Sequence, residues 1–267
     1  MRSTFCALTA AAVGLCLATT PHTARASEPS LQTEDGKTLH AIAEERADAA
    51  KGVVLVHMLG RDASDWKYFA ARLNRSGFTV IAPDLRGHGS SDGADADLTD
   101  ADYPLMVKDV QAAIAWLRSK GAKEVTCVGA SIGANLCLQA ASSDPGVGNV
   151  VALSPGLKIK GVTAADALER YGERPALVVA SDDDVYSAKS AMILEKKAAG
   201  QFHFELLEEA GHGTKMMNRD AGLEGLVMSW ILGTYKLASG EMVTPRPVTS
   251  AEVDDVSTEG QKLDSHK

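Results

Sequence analysis

Aromatic side chains are scarce: Phe, Trp and Tyr make up only 5% of the 267 residues. So few rings cannot line an extended apolar trough, which argues against long lipid chains as ligands. Basic residues are also in deficit, with 27 Lys and Arg against 35 Asp and Glu and a net charge of −8. That balance excludes nucleic acid and an anionic membrane surface as partners. No apolar run reaches the roughly 20 residues that a membrane-spanning helix needs. Metal-ligand spacing is absent too. The acidic stretch Asp92–Asp102 resembles a calcium loop, but counted from Asp95 its sixth position is Asp100 instead of Gly and its twelfth is Met106 instead of Glu. No internal repeat is present, and nothing implies a metal or any other cofactor.

Cysteine is limited to four residues, two of them in an N-terminal segment that reads as a secretory signal. Arg2 supplies a small positive region, Phe5–Thr19 an apolar one, and Ala24-Arg25-Ala26 a small-x-small cleavage site. Cys16 follows the bulky Leu15, which disfavours a lipoprotein site. Residues 1–26 are therefore expected to be removed and the protein exported to the periplasm or beyond, with no stable membrane insertion afterwards. Cleavage takes away Arg2 and Arg25 and leaves 25 basic against 35 acidic residues, a net −10. Cys127 and Cys137 remain. One precedes and the other follows a strand-to-helix turn, so their Cα atoms are expected about 10 Å apart, beyond disulfide reach. They read as two small buried hydrophobes.

The 45% hydrophobic content is concentrated in short apolar runs, the pattern of parallel strands buried on both faces. Leu31–Ala43 reads as a hairpin turning at Asp35-Gly36, and Gly52–Val56 as a strand ending at His57. Ser64–Ser76 is helical, Phe78–Ile81 extended, and Leu105–Lys120 a helix with Val107, Val110, Ile114 and Leu117 on one face. Val125–Val128 is a strand and Ala134–Ala141 a helix. Strands follow at Val150–Leu153, Ala176–Ala180 and Phe202–Leu207, and Leu223–Tyr235 carries an amphipathic closing helix. This alternation predicts an α/β fold, a mostly parallel central sheet with helices on both faces. The domain is placed at residues 27–238, with 239–267 as a polar tail without periodicity.

The densest signal lies between Val128 and Ala134, where the chain reads Gly129-Ala130-Ser131-Ile132-Gly133. A Gly-x-Ser-x-Gly at a strand-to-helix junction resembles the nucleophile elbow of the α/β-hydrolases. The turn is so tight that side chains two residues either side of the serine would collide, and glycine removes them. Ser131 is expected to stand exposed there, at the positive end of the helix that follows. Pro83-Asp84-Leu85-Arg86-Gly87-His88-Gly89-Ser90-Ser91 is similar to the family's loop after its fourth strand, and Ala210-Gly211-His212-Gly213 to its late histidine loop. Over residues 30–237 the chain resembles the dienelactone-hydrolase-like and small secreted esterase branches. Serine at position 131 departs from dienelactone hydrolase itself, which uses cysteine, and from the dehalogenase and epoxide hydrolase branches, which use aspartate.

The resemblance implies a triad in the order serine, acid, histidine. His212 is the histidine that lies late, between two glycines, after the last strand. The acid belongs just past Ala176–Ala180, where Asp182, Asp183 and Asp184 are adjacent. Asp184 is favoured if the strand ends at Ser181, and Asp183 if it ends at Ala180. Three carboxylates cannot all face one imidazole, so the other two are expected in solvent or capping a helix. The oxyanion donors implied are Ile132 N–H and, from the loop His57-Met58-Leu59-Gly60, Leu59 N–H. Met58 replaces the family's usual glycine, which would narrow the acyl pocket or shift that loop. The implied activity is hydrolysis of carboxylic esters, either small molecules or groups on a polymer, through an acyl-enzyme. Amide, peptide or thioester cleavage by the same residues is one alternative, and a non-catalytic binding protein on this scaffold another. Only Ser154–Pro175 separates two strands where such folds insert lids, and Thr163–Tyr171 is already a connecting helix, so a minimal lid and an open cleft are expected. Nothing in the sequence reports an oligomeric state.

Overall fold

The structure is a computed structural model that describes residues 24–47 and 49–243. Residues 1–23 of the expected signal and residues 244–267 of the expected tail lie outside the described residues. Five elements open the chain: β1 (Ala24–Ser27), β2 (Ser30–Gln32), β3 (Thr38–Arg46), β4 (Lys51–Val56) and α1 (Lys67–Arg75). They are followed by β5 (Thr79–Pro83), α2 (Asp102–Leu105), α3 (Val107–Ser119), β6 (Glu124–Ala130) and α4 (Ile132–Ser143). Then come β7 (Val147–Leu153), β8 (Lys158–Ile159), β9 (Val162–Thr163), α5 (Ala165–Tyr171) and β10 (Ala176–Ser181). The last are α6 (Val185–Glu195), β11 (Phe202–Leu207), α7 (Met216–Arg219) and α8 (Leu223–Leu232).

One sheet runs in the order β1-β3-β5-β4-β6-β7-β10-β11, with β2 paired to β3. From β5 onward every pairing is parallel, whereas β1, β2 and β3 pair antiparallel. Alternation along the strands divides the core between the two faces. Val54, Val56 and Cys127 join the cluster packed by α3 and α4. Val53, Leu55, Val128 and Ala130 join the one packed by α1 and α8. The expected strands are all present, and the helix expected over 105–120 is α3, Val107–Ser119, with the short α2 ahead of it. The closing helix ends at Leu232, three residues short of Tyr235, because Gly233 takes a left-handed cap at φ 71°.

β1, whose Ala24–Ser27 pairs with Arg46–Ala43, spans the expected cleavage point after Ala26. Two expectations, at the C-terminus and the elbow, are corrected. Residues 239–243 do not belong to a polar tail: Met242 pairs with Lys236, and Val243 is buried in the core against the α8 face. Cys127 and Cys137 form a disulfide, with Cα atoms 5.5 Å apart. The 10 Å estimate assumed the usual spacing between packed elements, about 8–10 Å. Here Gly129 and Gly133 present no Cβ at the crossing, and α4 lies directly against β6. A Cβ on Gly129 would stand 2.1 Å from the Gly133 carbonyl oxygen.

His57, at the end of β4, is fully buried and uses both ring nitrogens. Nδ1–H donates to Met58 O at 2.8 Å, and Nε2 accepts from Leu85 N at 2.9 Å, joining the loops after β4 and β5. Burial pulls its pKa down from 6.5 to about 4. The unfolded chain therefore protonates this ring at a higher pH than the folded one. Stability that is full above pH 6.5 is expected to fall as pH drops, by about 3 kcal/mol once pH passes below 4. Urea unfolding at pH 7.5, 5.5 and 4.2 checks this against His57→Gln, which should lose much of the slope. Parallel curves for the two proteins would contradict it.

Candidate active site

β6 feeds straight into α4 through Ser131, which adopts φ 55° and ψ −120°. A serine with positive φ is strained, and such strain concentrates at functional sites. The turn forms only because its neighbours lack side chains. Gly129 abuts the Gly133 carbonyl, and a Cβ on Gly133 would stand 2.6 Å from both the Val56 and the His57 carbonyl oxygens. Ser131 N–H donates to Leu153 O of β7 at 2.8 Å and fixes the turn to the sheet. Contrary to the expectation of an exposed residue, Ser131 is only 8% accessible.

The close approach at Gly133 also sets the loop after β4 against the first turn of α4. Ile132 N–H and Leu59 N–H, the two expected oxyanion donors, meet no protein acceptor among the described residues. For Ile132 this follows from helix geometry, since the first N–H groups of a helix have no partner inside it. Leu59 is half-buried and packs against the cluster on the α4 face. Met58 packs toward the histidine loop. Its thioether sits beneath the histidine loop, where a Cβ on Gly213 would meet Sδ at 2.6 Å, and it belongs to the core on the other face of the sheet.

His212 is reached from the far end of the sheet. Its Nδ1 lies 2.6 Å from Asp184 Oδ2. The other carboxylate oxygen, Oδ1, accepts Ser187 N–H at 3.4 Å, so Asp184 also caps α6. Burial raises the Asp184 carboxyl, but hydrogen bonds from His212 and Ser187 outweigh this and hold it below the usual carboxylate range. Of the two candidate acids, Asp184 is the one that contacts the imidazole. Asp182 and Asp183 are not simply solvated. Asp182 Oδ1 accepts Glu209 N–H at 2.8 Å and Asp183 Oδ1 accepts Gly211 N–H at 3.0 Å. Three adjacent carboxylates thus address three positions of one loop. Ser131 Oγ makes no hydrogen bond to His212 among the described residues; in sites without substrate this contact is often long and tightens on binding.

Sequence reasoning missed Ser154, the first residue after β7. It is fully buried at φ 49°, and its Oγ accepts Gly213 N–H at 2.9 Å. Nothing in the sequence marks it, because only the strand order sets β7 between the strand that carries Ser131 and the strand that leads to Asp184. Asn135, one turn past Ser131, was missed as well. Its Nδ2 donates to Gly156 O and Val162 O at 2.9 and 2.8 Å, and its Oδ1 accepts Gly156 N–H at 3.2 Å. These bonds pin the segment after Ser154 to α4. That segment holds the β8–β9 hairpin and α5, with no separate cap domain. Among the described residues no group of three or more His, Cys, Asp or Glu could hold a metal ion, and no helix is long and apolar enough to cross a membrane.

This geometry provides a hydroxyl at a strained turn, N–H groups at Ile132 and Leu59 that meet no acceptor among the described residues, and an imidazole oriented by a carboxylate. Acyl transfer uses groups of these kinds. Residues 47–179, about half of the chain, match the family model described as serine aminopeptidase, S33. A stretch of 99 residues is 34% identical to uncharacterized proteins of Mycobacterium tuberculosis and Mycobacterium bovis. It covers 37% of this chain and only 27% of theirs, so the match spans about a quarter of those relatives. Among solved structures, a predicted CIB-like hydrolase of Thermoplasma acidophilum superposes with a TM-score of 0.64 at 15% identity, covering 78% of this chain and 99% of that one. An esterase of Pyrococcus furiosus gives 0.64 at 14% identity over 78% and 90% of the two chains. An esterase of Exiguobacterium antarcticum gives 0.64 at 18% identity over 77% and 100%.

Proposed function

Because this chain belongs to the α/β-hydrolase fold family, we propose that it is a serine hydrolase cleaving carboxylic esters through an acyl-enzyme. The observation that carries the reading is the strained Ser131 between Gly129 and Gly133, on the same sheet edge as a formed Asp184–His212 pair. In this account His212 Nε2 takes the Ser131 proton as Oγ attacks the ester carbonyl. Leu59 N–H and Ile132 N–H receive the oxyanion, a contact worth about 3 kcal/mol per donor. The intermediate collapses, the C–O bond to the alcohol breaks, and His212 returns the proton to the leaving oxygen. Water then attacks the acyl-serine by the same route and releases the acid. Asp184 holds the imidazole in the Nδ1–H tautomer throughout.

Esters are favoured over amides because two of the fold's solved relatives are esterases, and fold alone does not choose the substrate. Amide or peptide cleavage is the second reading, favoured by the aminopeptidase family match. Absence of a separate cap favours short acyl chains or ester groups exposed on a larger molecule. Export is part of the proposal, and the Cys127–Cys137 disulfide supports it, since such bonds persist in oxidising compartments. Turnover of p-nitrophenyl esters of increasing acyl length, beside matched anilides and thioesters, tests the substrate class. Acetate and butyrate esters are expected to give the highest kcat/KM, with no jump when substrate passes its solubility limit. A preference for anilides, for long chains or for droplets would overturn the ester and open-cleft readings.

A further inference from the structure

Four consecutive positions of the histidine loop are each held by a side chain from a neighbouring strand end. Ala210 N–H donates to Ser181 Oγ at 2.8 Å, and Ser181 Oγ–H donates in turn to Asp183 Oδ1 at 2.5 Å. Gly211 N–H donates to Asp183 Oδ1 at 3.0 Å, His212 Nδ1 meets Asp184 at 2.6 Å, and Gly213 N–H donates to Ser154 Oγ at 2.9 Å. The backbone ladder between β10 and β11 ends at the Ser181–Leu207 pair, with one further bond from Asp182 N–H to Leu207 O. Beyond it, side-chain oxygens replace carbonyls as the acceptors.

The loop needs them. Gly211 and Gly213, at φ 83° and 62°, flank His212 and leave the backbone on both sides of the imidazole free to turn. A single Asp184–His212 bond fixes one ring nitrogen but not where the other points. Ser154 accepts strain to serve here. Positive φ at a non-glycine costs of order 1–3 kcal/mol, yet Ser154 is buried and anchored by its own N–H to Val179 O at 2.7 Å. A glycine would fit that backbone without strain. It would have no hydroxyl to offer Gly213.

We propose that Ser154, Ser181 and Asp183 are positioning residues, which fix the backbone on both sides of His212 and so aim Nε2 at Ser131. This rests on the serine-hydrolase reading above. The test is ester kinetics with thermal melts for Ser154→Gly, Asp183→Ala and Asp183→Asn. Ser154→Gly keeps the backbone conformation and removes the hydroxyl, which accepts from Gly213 N–H and donates to Met216 Sδ at 3.8 Å. Its kcat is expected to fall about 10- to 100-fold with KM within twofold, the size of effect that a misplaced catalytic group produces. Asp183→Ala should behave alike, while Asp183→Asn, which keeps an acceptor oxygen, should recover most of kcat. Melting temperatures are expected to stay close to that of the wild type. Wild-type kcat in Ser154→Gly and Asp183→Ala would overturn the proposal. So would a loss in Asp183→Asn as deep as in Asp183→Ala, or a loss carried by KM. Failure of the hydrolase reading is distinguishable, because it shows as no turnover in the wild type or as turnover that survives Ser131→Ala, and it removes this proposal with it.

Discussion

Ser131→Ala is expected to lower kcat for p-nitrophenyl acetate by at least about 10⁴-fold, down to whatever the oxyanion donors and binding alone supply. The fold should survive. Ser131 Oγ accepts and donates no hydrogen bond among the described residues, and the contact that fixes the turn is the backbone bond to Leu153 O, which alanine keeps. Alanine at φ 55° is strained as serine is, so stability should change little. Initial rates across pH, with circular dichroism to confirm the fold, decide it. Turnover within tenfold of wild type would remove Ser131 from the mechanism.

The second large effect is Asp184→Asn. An asparagine can still accept Ser187 N–H through its amide oxygen and keep the cap on α6. Toward His212 it presents either an amide N–H or a neutral oxygen, and the imidazole loses the carboxylate that fixes its tautomer and stabilises its protonated form. A fall in kcat of about 10⁴-fold is expected. Asp182→Asn serves as the control, because its bond to Glu209 N–H needs only an oxygen, and it should stay within a few-fold of wild type. Parallel measurements on Asp183→Asn and Asp184→Asn discriminate the two carboxylates. A large loss at 183 with normal activity at 184 would contradict the geometry, in which only Asp184 reaches the ring.

Much of this site is legible in sequence because its constraints are local. The elbow needs glycine at 129 and 133 for steric reasons that one turn explains, and the acid must follow the apolar run at 176–180, whose end at Ala180 or Ser181 left Asp183 and Asp184 both open. What was not legible depends on contacts between distant segments. The three aspartates look redundant until β11 runs parallel to β10 and delivers Glu209, Gly211 and His212 beside them in register. Ser154 looks like an ordinary loop serine until Gly213 N–H arrives from 59 residues away. Cys127 and Cys137 were misjudged for a related reason. Glycines that permit the elbow also bring α4 closer to β6 than packed elements usually come, and a spacing estimated without that closeness hides the bond. Val243 was missed because a Met-Val pair among polar residues carries no periodicity, and the pairing of Met242 with Lys236 brings Val243 into the core.

The central claim is that Ser131 is a nucleophile activated by His212 and Asp184. The most direct measurement is reaction of the full-length protein with a fluorophosphonate probe, followed by proteolysis and mass mapping of the adduct. The account predicts one adduct per chain, on the peptide containing Ser131, absent in Ser131→Ala and formed far more slowly in His212→Ala. Labelling at a different serine, or no labelling of folded protein, would contradict it.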